Sequence, residues 1–108
     1  LPVTIREKRI DISVMPTVFA LHQNYPNPFN PVTEIQFDVP VASEVTLTIY
    51  NIMGQEVTTL TNRTLRAGFH SVRWDGTNGQ GELVSTGVYF YRLTSPAFIS
   101  TKKMIMVK

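Results

Sequence analysis

The segment Asn24-Tyr25-Pro26-Asn27-Pro28-Phe29-Asn30-Pro31 constrains this chain more than any other. Each proline fixes its own φ and removes a backbone donor. Each also pushes the preceding residue toward extended geometry. The three asparagines can close local turns onto nearby backbone groups. A helix is impossible here and a central strand is excluded. The segment reads as a stiff, kinked corner with Tyr25 and Phe29 as packing anchors. Such a run defines a fold or a recognition epitope and is rarely a catalytic device.

Around that corner the chain alternates apolar and polar residues with the period of two expected of half-buried strands. Ile35, Phe37 and Val39 share one face, opposite Glu34, Gln36 and Asp38. Val45, Leu47 and Ile49 share another, opposite Thr46, Thr48 and Tyr50. Residues 57–60 form a short strand. His70, Val72 and Trp74 point one way and Ser71, Arg73 and Asp75 the other. Tyr89, Tyr91 and Leu93 oppose Val88, Phe90 and Arg92. Residues 98–107 form the last strand, in which Met104-Ile105-Met106-Val107 is apolar on both faces, the pattern of two-sided burial or a covered edge. A first strand lies near 17–22. Turn signals separate these runs: Val39-Pro40, Asn51-Ile52-Met53-Gly54 with Gly54 supplying positive φ, Ala67-Gly68, Asp75-Gly76 and the glycines after it, Thr86-Gly87 and Ser95-Pro96. The expectation is an all-β, seven-stranded, immunoglobulin-like antiparallel β-sandwich. Residues 1–16, where charges interrupt Val3, Ile5, Ile10 and Ile12, read as a linker or the tail of a preceding passenger domain. Residues 17–108 read as the folded unit.

A chain of 108 residues with a 43% hydrophobic share suits one domain with one modest core. The net charge is only +2, and its basic residues gather at Arg6, Lys8 and Arg9 and at Lys102, Lys103 and Lys108. No aromatic-plus-basic motif accompanies them, so a nucleic-acid partner is not expected. Without cysteine there is neither a disulfide nor a thiolate metal site. No apolar run reaches bilayer-spanning length. The opening Leu1-Pro2 has neither a Met start nor a hydrophobic leader, so the chain reads as a piece of a longer precursor.

Candidates for chemistry are few. His22 borders the corner and His70 sits on a strand; neither has a ligand-spaced or base-paired neighbour. The serines lack a nucleophile elbow, and the carboxylates are scattered over separate strands. Asp75, Asn78 and Gln80 offer oxygens for a cation, yet a loop whose side chains cap its own backbone accounts for them better. Phe37, Phe69, Trp74, Tyr89 and Tyr91 raise the idea of a sugar platform, but their alternation suits a sandwich core. Phe90 and Phe98 are expected to be the exposed rings. No enzyme activity, catalytic residue, cofactor or metal is expected.

From Phe19 onward the chain resembles the type A C-terminal sorting domain of the type IX secretion system of Bacteroidetes. The elements that carry the resemblance are the run Leu21-His22-Gln23 leading into the Pro-rich corner and Thr33, then Ile49-Tyr50-Asn51 with Gly54-Gln55-Glu56-Val57. They continue with Ala67-Gly68-Phe69-His70, Trp74-Asp75-Gly76, the run Ser85-Thr86-Gly87-Val88-Tyr89-Phe90-Tyr91-Arg92-Leu93, and Thr101-Lys102-Lys103-Met104. The pattern is also similar to the Ig-like domain of flagellar hook-capping proteins. The resemblance implies a non-catalytic secretion signal on an exported passenger, in transit through the periplasm to the outer-membrane surface or the medium. It implies the type IX translocon and a shuttle protein as partners, with a sortase-like peptidase cutting within residues 2–16. It places recognition at Gly87, Val88, Tyr89 and at Thr101, Lys102, Lys103, Met104, Ile105, Met106, Val107 and Lys108. Two rival readings are a structural assembly module and a carbohydrate-binding accessory domain of a secreted enzyme. The lysine-bearing last strand is expected to resist aggregation while leaving its edge open for strand addition.

Overall fold

The computed structural model describes residues 14–108. Seven strands are present among them: β1 (Ala20–Leu21), β2 (Thr33–Val39), β3 (Ser43–Asn51), β4 (Glu56–Leu65), β5 (Gly68–Trp74), β6 (Gly87–Ser95) and β7 (Phe98–Met106). They form two antiparallel sheets, one in the order β1-β2-β5 and one in the order β4-β3-β6-β7. No α-helix occurs among the described residues. The fold is the expected immunoglobulin-like sandwich. The basic cluster Arg6, Lys8 and Arg9 and all of the expected cleavage region, residues 2–16, except its last three residues lie outside the described residues.

The alternation read from the sequence is the alternation of burial. Ile35, Phe37 and Val39 from β2 face Val45, Leu47 and Ile49 from β3 and Tyr89, Tyr91 and Leu93 from β6, all of them buried. With a period of two, a single in-register pairing puts every apolar side chain of a strand inside. The β2–β5 ladder runs without a slip from Thr33↔Trp74 to Val39↔Gly68. Trp74 closes the core at one end. Its ring packs against Phe29 at 5.6 Å and edge-on to Tyr89 at 5.4 Å, and its indole N–H donates to the Thr77 carbonyl at 2.9 Å.

Strand β4 is longer than the expected run of residues 57–60. The pairing slips twice, so that Leu60 and Val57 have no partner on β3. Each is an extra residue in its strand, a β-bulge, and both lean inward onto the core. Two bulges in ten residues erase the period of two, which is why the outer part of this strand carries no readable pattern. They also twist an otherwise exposed, Thr-rich edge away from foreign strands.

Two asparagine turns, one between β3 and β4 and one in the loop between β5 and β6, are built alike. Asn51 and Asn78 each accept two backbone N–H groups on Oδ1, from Met53 and Gln55 and from Gln80 and Glu82. In both, the glycine three residues on lies at φ 83°. The loop from Asp75 thus closes on itself, as its sequence led us to expect, with Asp75 Oδ1 taking both the N–H and the hydroxyl of Thr77. Gly76 is required twice over. Its φ is 81°, and a Cβ there would meet Met106 Sδ and the Pro31 carbonyl at 3.1 Å.

Truncating Trp74 to alanine removes the ring that seals this end of the core. The expected loss is about 3–5 kcal/mol, read as a lower urea midpoint at unchanged slope. An unchanged midpoint would contradict this packing.

Candidate interaction surface

The Pro-rich corner is held by a buried polar network centred on Asn24, a residue only 2% exposed. The Asn24 side-chain amide donates to the Pro26 carbonyl at 3.1 Å and to Thr33 Oγ1 at 3.0 Å. Thr33 in turn donates to the same carbonyl at 2.9 Å. Gln23 Nε2 donates to Asn24 Oδ1 at 2.7 Å and to the Lys103 carbonyl at 2.8 Å. From the opposite sheet, the fully buried Tyr91 hydroxyl accepts the Asn24 N–H at 2.8 Å and donates to the His22 carbonyl at 2.7 Å. All three X-Pro bonds of the corner are cis.

The corner lands on β7. The Phe29 N–H donates to the Ile105 carbonyl at 2.9 Å, and the Val107 N–H donates to the Phe29 carbonyl at 2.8 Å. Asn27 Oδ1 takes the Ile105 N–H at 3.0 Å. With Gln23 on Lys103, the outer edge of β7 from Lys103 to Val107 is therefore sealed. This corrects the expectation of an edge left open for strand addition; among the described residues, the outward peptide groups of Ile99 and Thr101 and the Lys103 N–H remain unpaired on this edge. Phe29 inserts as an anchor, 1% exposed, whereas Tyr25 is 80% exposed. Tyr25 joins the ladder only through its backbone, exchanging two 3.0 Å hydrogen bonds with Glu34. Its side chain therefore leaves the core, against the expectation that it packs there.

The segments 87–89 and 101–108 lie side by side on the paired strands β6 and β7. Gly87 pairs with Met106, Val88 with Ile105 and Tyr89 with Met104. Their side chains divide sharply. Tyr89, Met104 and Met106 are core residues, and the Tyr89 hydroxyl donates to the Ser85 carbonyl at 2.6 Å. Thr101, Lys103, Val107 and Lys108 are exposed, while Gly87, Val88, Lys102 and Ile105 are half-buried. Only the last two groups can meet a partner while the domain stays folded. Beside them the β3–β4 hairpin carries Ile52 and Met53, 69% and 77% exposed, on the rim of a cleft of about 460 Å³ shared with Val84, Gly87 and Val88. Sequence reasoning treated Ile52 and Met53 only as turn residues. Two large apolar side chains at the tip of an asparagine–glycine turn were the available signal.

The aromatic residues rearrange the sugar-platform idea. Phe37, Trp74, Tyr89 and Tyr91 are buried, so they present no platform. Phe69 is the exception at 62% exposed, because it occupies the outward position of β5 between His70 and Gly68. Phe90 and Phe98, expected outside, are half-buried. Phe98 stacks on Phe19 at 5.2 Å, and Phe90 stands on the outer sheet face in register between Tyr50 and Lys103.

No three His, Asp or Glu side chains among the described residues are grouped so as to hold a metal ion. His22 faces Asp38 at 3.0 Å on the outer sheet face. His70 stacks on Phe37 and its Nε2 lies 2.8 Å from the Arg66 carbonyl. Hydrogen bonds from the Thr77 side chain and backbone hold the Asp75 carboxyl below its ordinary range, against a smaller opposing effect of burial. Burial pushes the Tyr91 phenol up from 10.0 to about 12, opposed by the Asn24 N–H hydrogen bond. No helix among the described residues is long and apolar enough to cross a membrane.

The raised Tyr91 pKa gives a signed prediction. The unfolded phenol ionises first, so this contribution to stability is complete below pH 10 and is lost as pH rises toward 12. The slope in that window is at most about 1.4 kcal/mol per pH unit. Tyr91→Phe should remove this share of the alkaline decline. It should also lower stability at neutral pH by about 1–3 kcal/mol, since the Asn24 N–H and His22 carbonyl lose their partner. Parallel urea melts at pH 7 to 12 measure both; identical alkaline slopes would contradict the buried hydroxyl.

Nothing among curated proteins matches the chain. PorU of Porphyromonas gingivalis, solved as a latent dimer, superposes with a TM-score of 0.67 at 25% identity, over 87% of this chain and 10% of that one. PorZ of the same organism, an essential bacterial surface component of the type IX secretion system, superposes with a TM-score of 0.58 at 17% identity. That match covers 82% of this chain and 12% of PorZ. FlgD of P. aeruginosa gives 0.55 at 23% identity, over 68% of this chain and 58% of that one. The chain thus spans a small part of the two Porphyromonas proteins and somewhat over half of the FlgD chain. The family profile described as the FlgD Ig-like domain matches residues 29–96, from the corner's anchoring Phe29 to the turn before β7. The chain belongs to the FlgD Ig-like domain family.

Proposed function

We propose that this domain is a non-catalytic C-terminal sorting signal that directs an exported passenger through a type IX outer-membrane translocon. The observation that carries the reading is the pairing of residues 87–89 with residues 104–106, which sets the accessible Gly87, Val88, Lys103, Ile105 and Val107 close together on neighbouring strands. Motifs separated by a hairpin in sequence are presented together, beside the apolar hairpin tip of Ile52 and Met53. The likeness to PorZ, a type IX surface component, and to PorU gives the reading its setting. The translocon and its shuttle protein are the expected partners, and a sortase-like peptidase would cut upstream of the sandwich. The passenger would pass through the periplasm to the cell surface or the medium.

The sealed edge changes how such a partner would engage. Backbone pairing along residues 103–107 would require the corner to leave, so recognition of the folded domain falls to side chains. Truncation after Lys103 is a poor probe, because it would remove the buried Met104 and Met106 along with the signal. A second reading, a structural assembly module, is favoured by membership in the FlgD Ig-like family. The carbohydrate-binding reading loses its main support, since four of its five candidate rings lie inside.

The test is export of a reporter carrying an ordinary signal peptide and the full 108-residue chain at its C-terminus, in a host with a working type IX system. Translocon-dependent appearance on the surface or in the medium is expected. Val107→Asp with Lys108→Glu should reduce export several-fold while the melting temperature holds. Periplasmic retention of a folded fusion would contradict the sorting reading and favour the assembly module.

A further inference from the structure

The outer face of the four-stranded sheet carries an arginine, Arg92, that forms no ion pair among the described residues. Strand register sets it out. Tyr50 of β3 pairs with Phe90 of β6, which pairs with Lys103 of β7. One step along, Thr48 pairs with Arg92 and Arg92 with Thr101. These side chains share the outward face, since directly opposed residues lie on the same side of a sheet. The Arg92 guanidinium lies over the Tyr50 ring, with Cζ 4.8 Å from its centroid. Its Nε is buried and finds no hydrogen-bond acceptor. The only ion pair among the described residues is that of His22 with Asp38, on the other sheet. Glu56 is the carboxylate nearest in register, opposite Tyr50 on the far side from Arg92, and its Oε2 accepts from Thr59.

An arginine stacked on tyrosine has lost most of its rotational freedom before any ligand arrives. Its planar fork is then set for a carboxylate, which it can take through two parallel hydrogen bonds. Lys103 adds a second positive charge across Phe90. Beside the guanidinium, Tyr50, Ile52, Phe90 and Thr101 bound a cleft of about 160 Å³. That is well below the roughly 300–1,000 Å³ of ordinary small-molecule sites. It suits one side chain. A sugar ring would need a free aromatic face, yet the guanidinium covers Tyr50 and Phe90 is half-buried. The exposed Ile52 borders the site with apolar surface, the usual neighbour of an arginine anchor at protein interfaces.

We propose that Arg92, stacked on Tyr50 and flanked by Lys103, is a docking site for an aspartate or glutamate side chain of a partner protein, seated beside an apolar residue that covers Ile52. The inference goes beyond the sorting reading, because the same contact serves export or assembly. Its failure leaves the export assay untouched, and a failed export assay leaves it standing.

The experiment titrates the full chain with an acetylated, amidated hexapeptide of alternating Leu and Glu, and with its Leu-Gln counterpart, by NMR. Saturable shifts of the Arg92 side-chain N–H and of the Phe90 and Thr101 amides are expected with the Glu peptide alone. Added salt should weaken them. Arg92→Gln should weaken binding by about tenfold or more, with Arg92→Lys in between. Lys103→Gln, at an exposed position, should weaken it less, and supplies the readout if Arg92→Gln fails to fold. Equal binding of the Glu and Gln peptides, or no saturation, would overturn the proposal. Tighter binding of trigalacturonate than of the peptide would overturn it in favour of an acidic glycan.

Discussion

The buried amide of Asn24 ties the two sheets and the Pro-rich corner together. An uncharged polar side chain at 2% exposure is tolerable only when its donors and acceptor are satisfied. Here they are satisfied by groups from three separate segments: the corner itself, Thr33 at the start of β2, and Gln23, which reaches on to β7. The backbone of the same residue is held by Tyr91 from the middle of β6. A network of this kind has few alternative geometries, since any shift strands several buried groups at once. Once Asn24 is placed, Phe29 falls against Trp74 and the corner lies along β7.

The consequence is an edge strand protected in two different ways along its length. From Lys103 to Val107 the corner supplies backbone and side-chain partners. At Ile99 and Thr101 no described residue pairs with it. The opposite edge, β4, relies on bulges at Val57 and Leu60 instead. In the four-stranded sheet, backbone open to a foreign strand on the β7 edge is thus confined to the stretch before the Lys103 carbonyl. What remains for specific contact is side-chain surface: the Ile52-Met53 tip, the exposed residues around Gly87 and Val107, and the Arg92–Tyr50 stack. That economy fits a module whose work is recognition.

Much of this fold was legible in the sequence, for an identifiable reason. β2, β3, β5 and β6 bury one face each, so burial copies the alternation of residues, and the in-facing Trp74 and Tyr91 could be named in advance. Asn51, Gly54 and the Asp75 loop were legible because turn chemistry is local. β4 was not, since two bulges cancel its period. The division of labour between Tyr25 and Phe29 was not legible either. Both are aromatic residues in the same short corner, and only a contact with Ile105 and Val107, more than seventy residues away, decides which one enters. The sealing of the β7 edge is long-range in the same sense: Met104-Ile105-Met106-Val107 was compatible with two-sided burial or a covered edge, the lysines suggested an open one, and only the distant corner decides. For the candidate site, the motif segments could be found in sequence. Their separation into core residues and accessible ones required the pairing of β6 with β7, and the stacking of Arg92 on Tyr50 required the register of β3 against β6.

The central claim, that the corner seals β7, is tested most directly by amide hydrogen exchange resolved along that strand. The Ile105 and Val107 amides donate to Asn27 Oδ1 and the Phe29 carbonyl, so they should exchange slowly, at rates approaching those of core amides. The outward amides of Ile99 and Thr101, on the same edge, should exchange fast. Slow exchange at 105 and 107 that becomes fast in Asn24→Ala, with Ile99 and Thr101 unchanged, is the predicted result. Uniformly fast exchange along all four positions in the unmodified chain would contradict it.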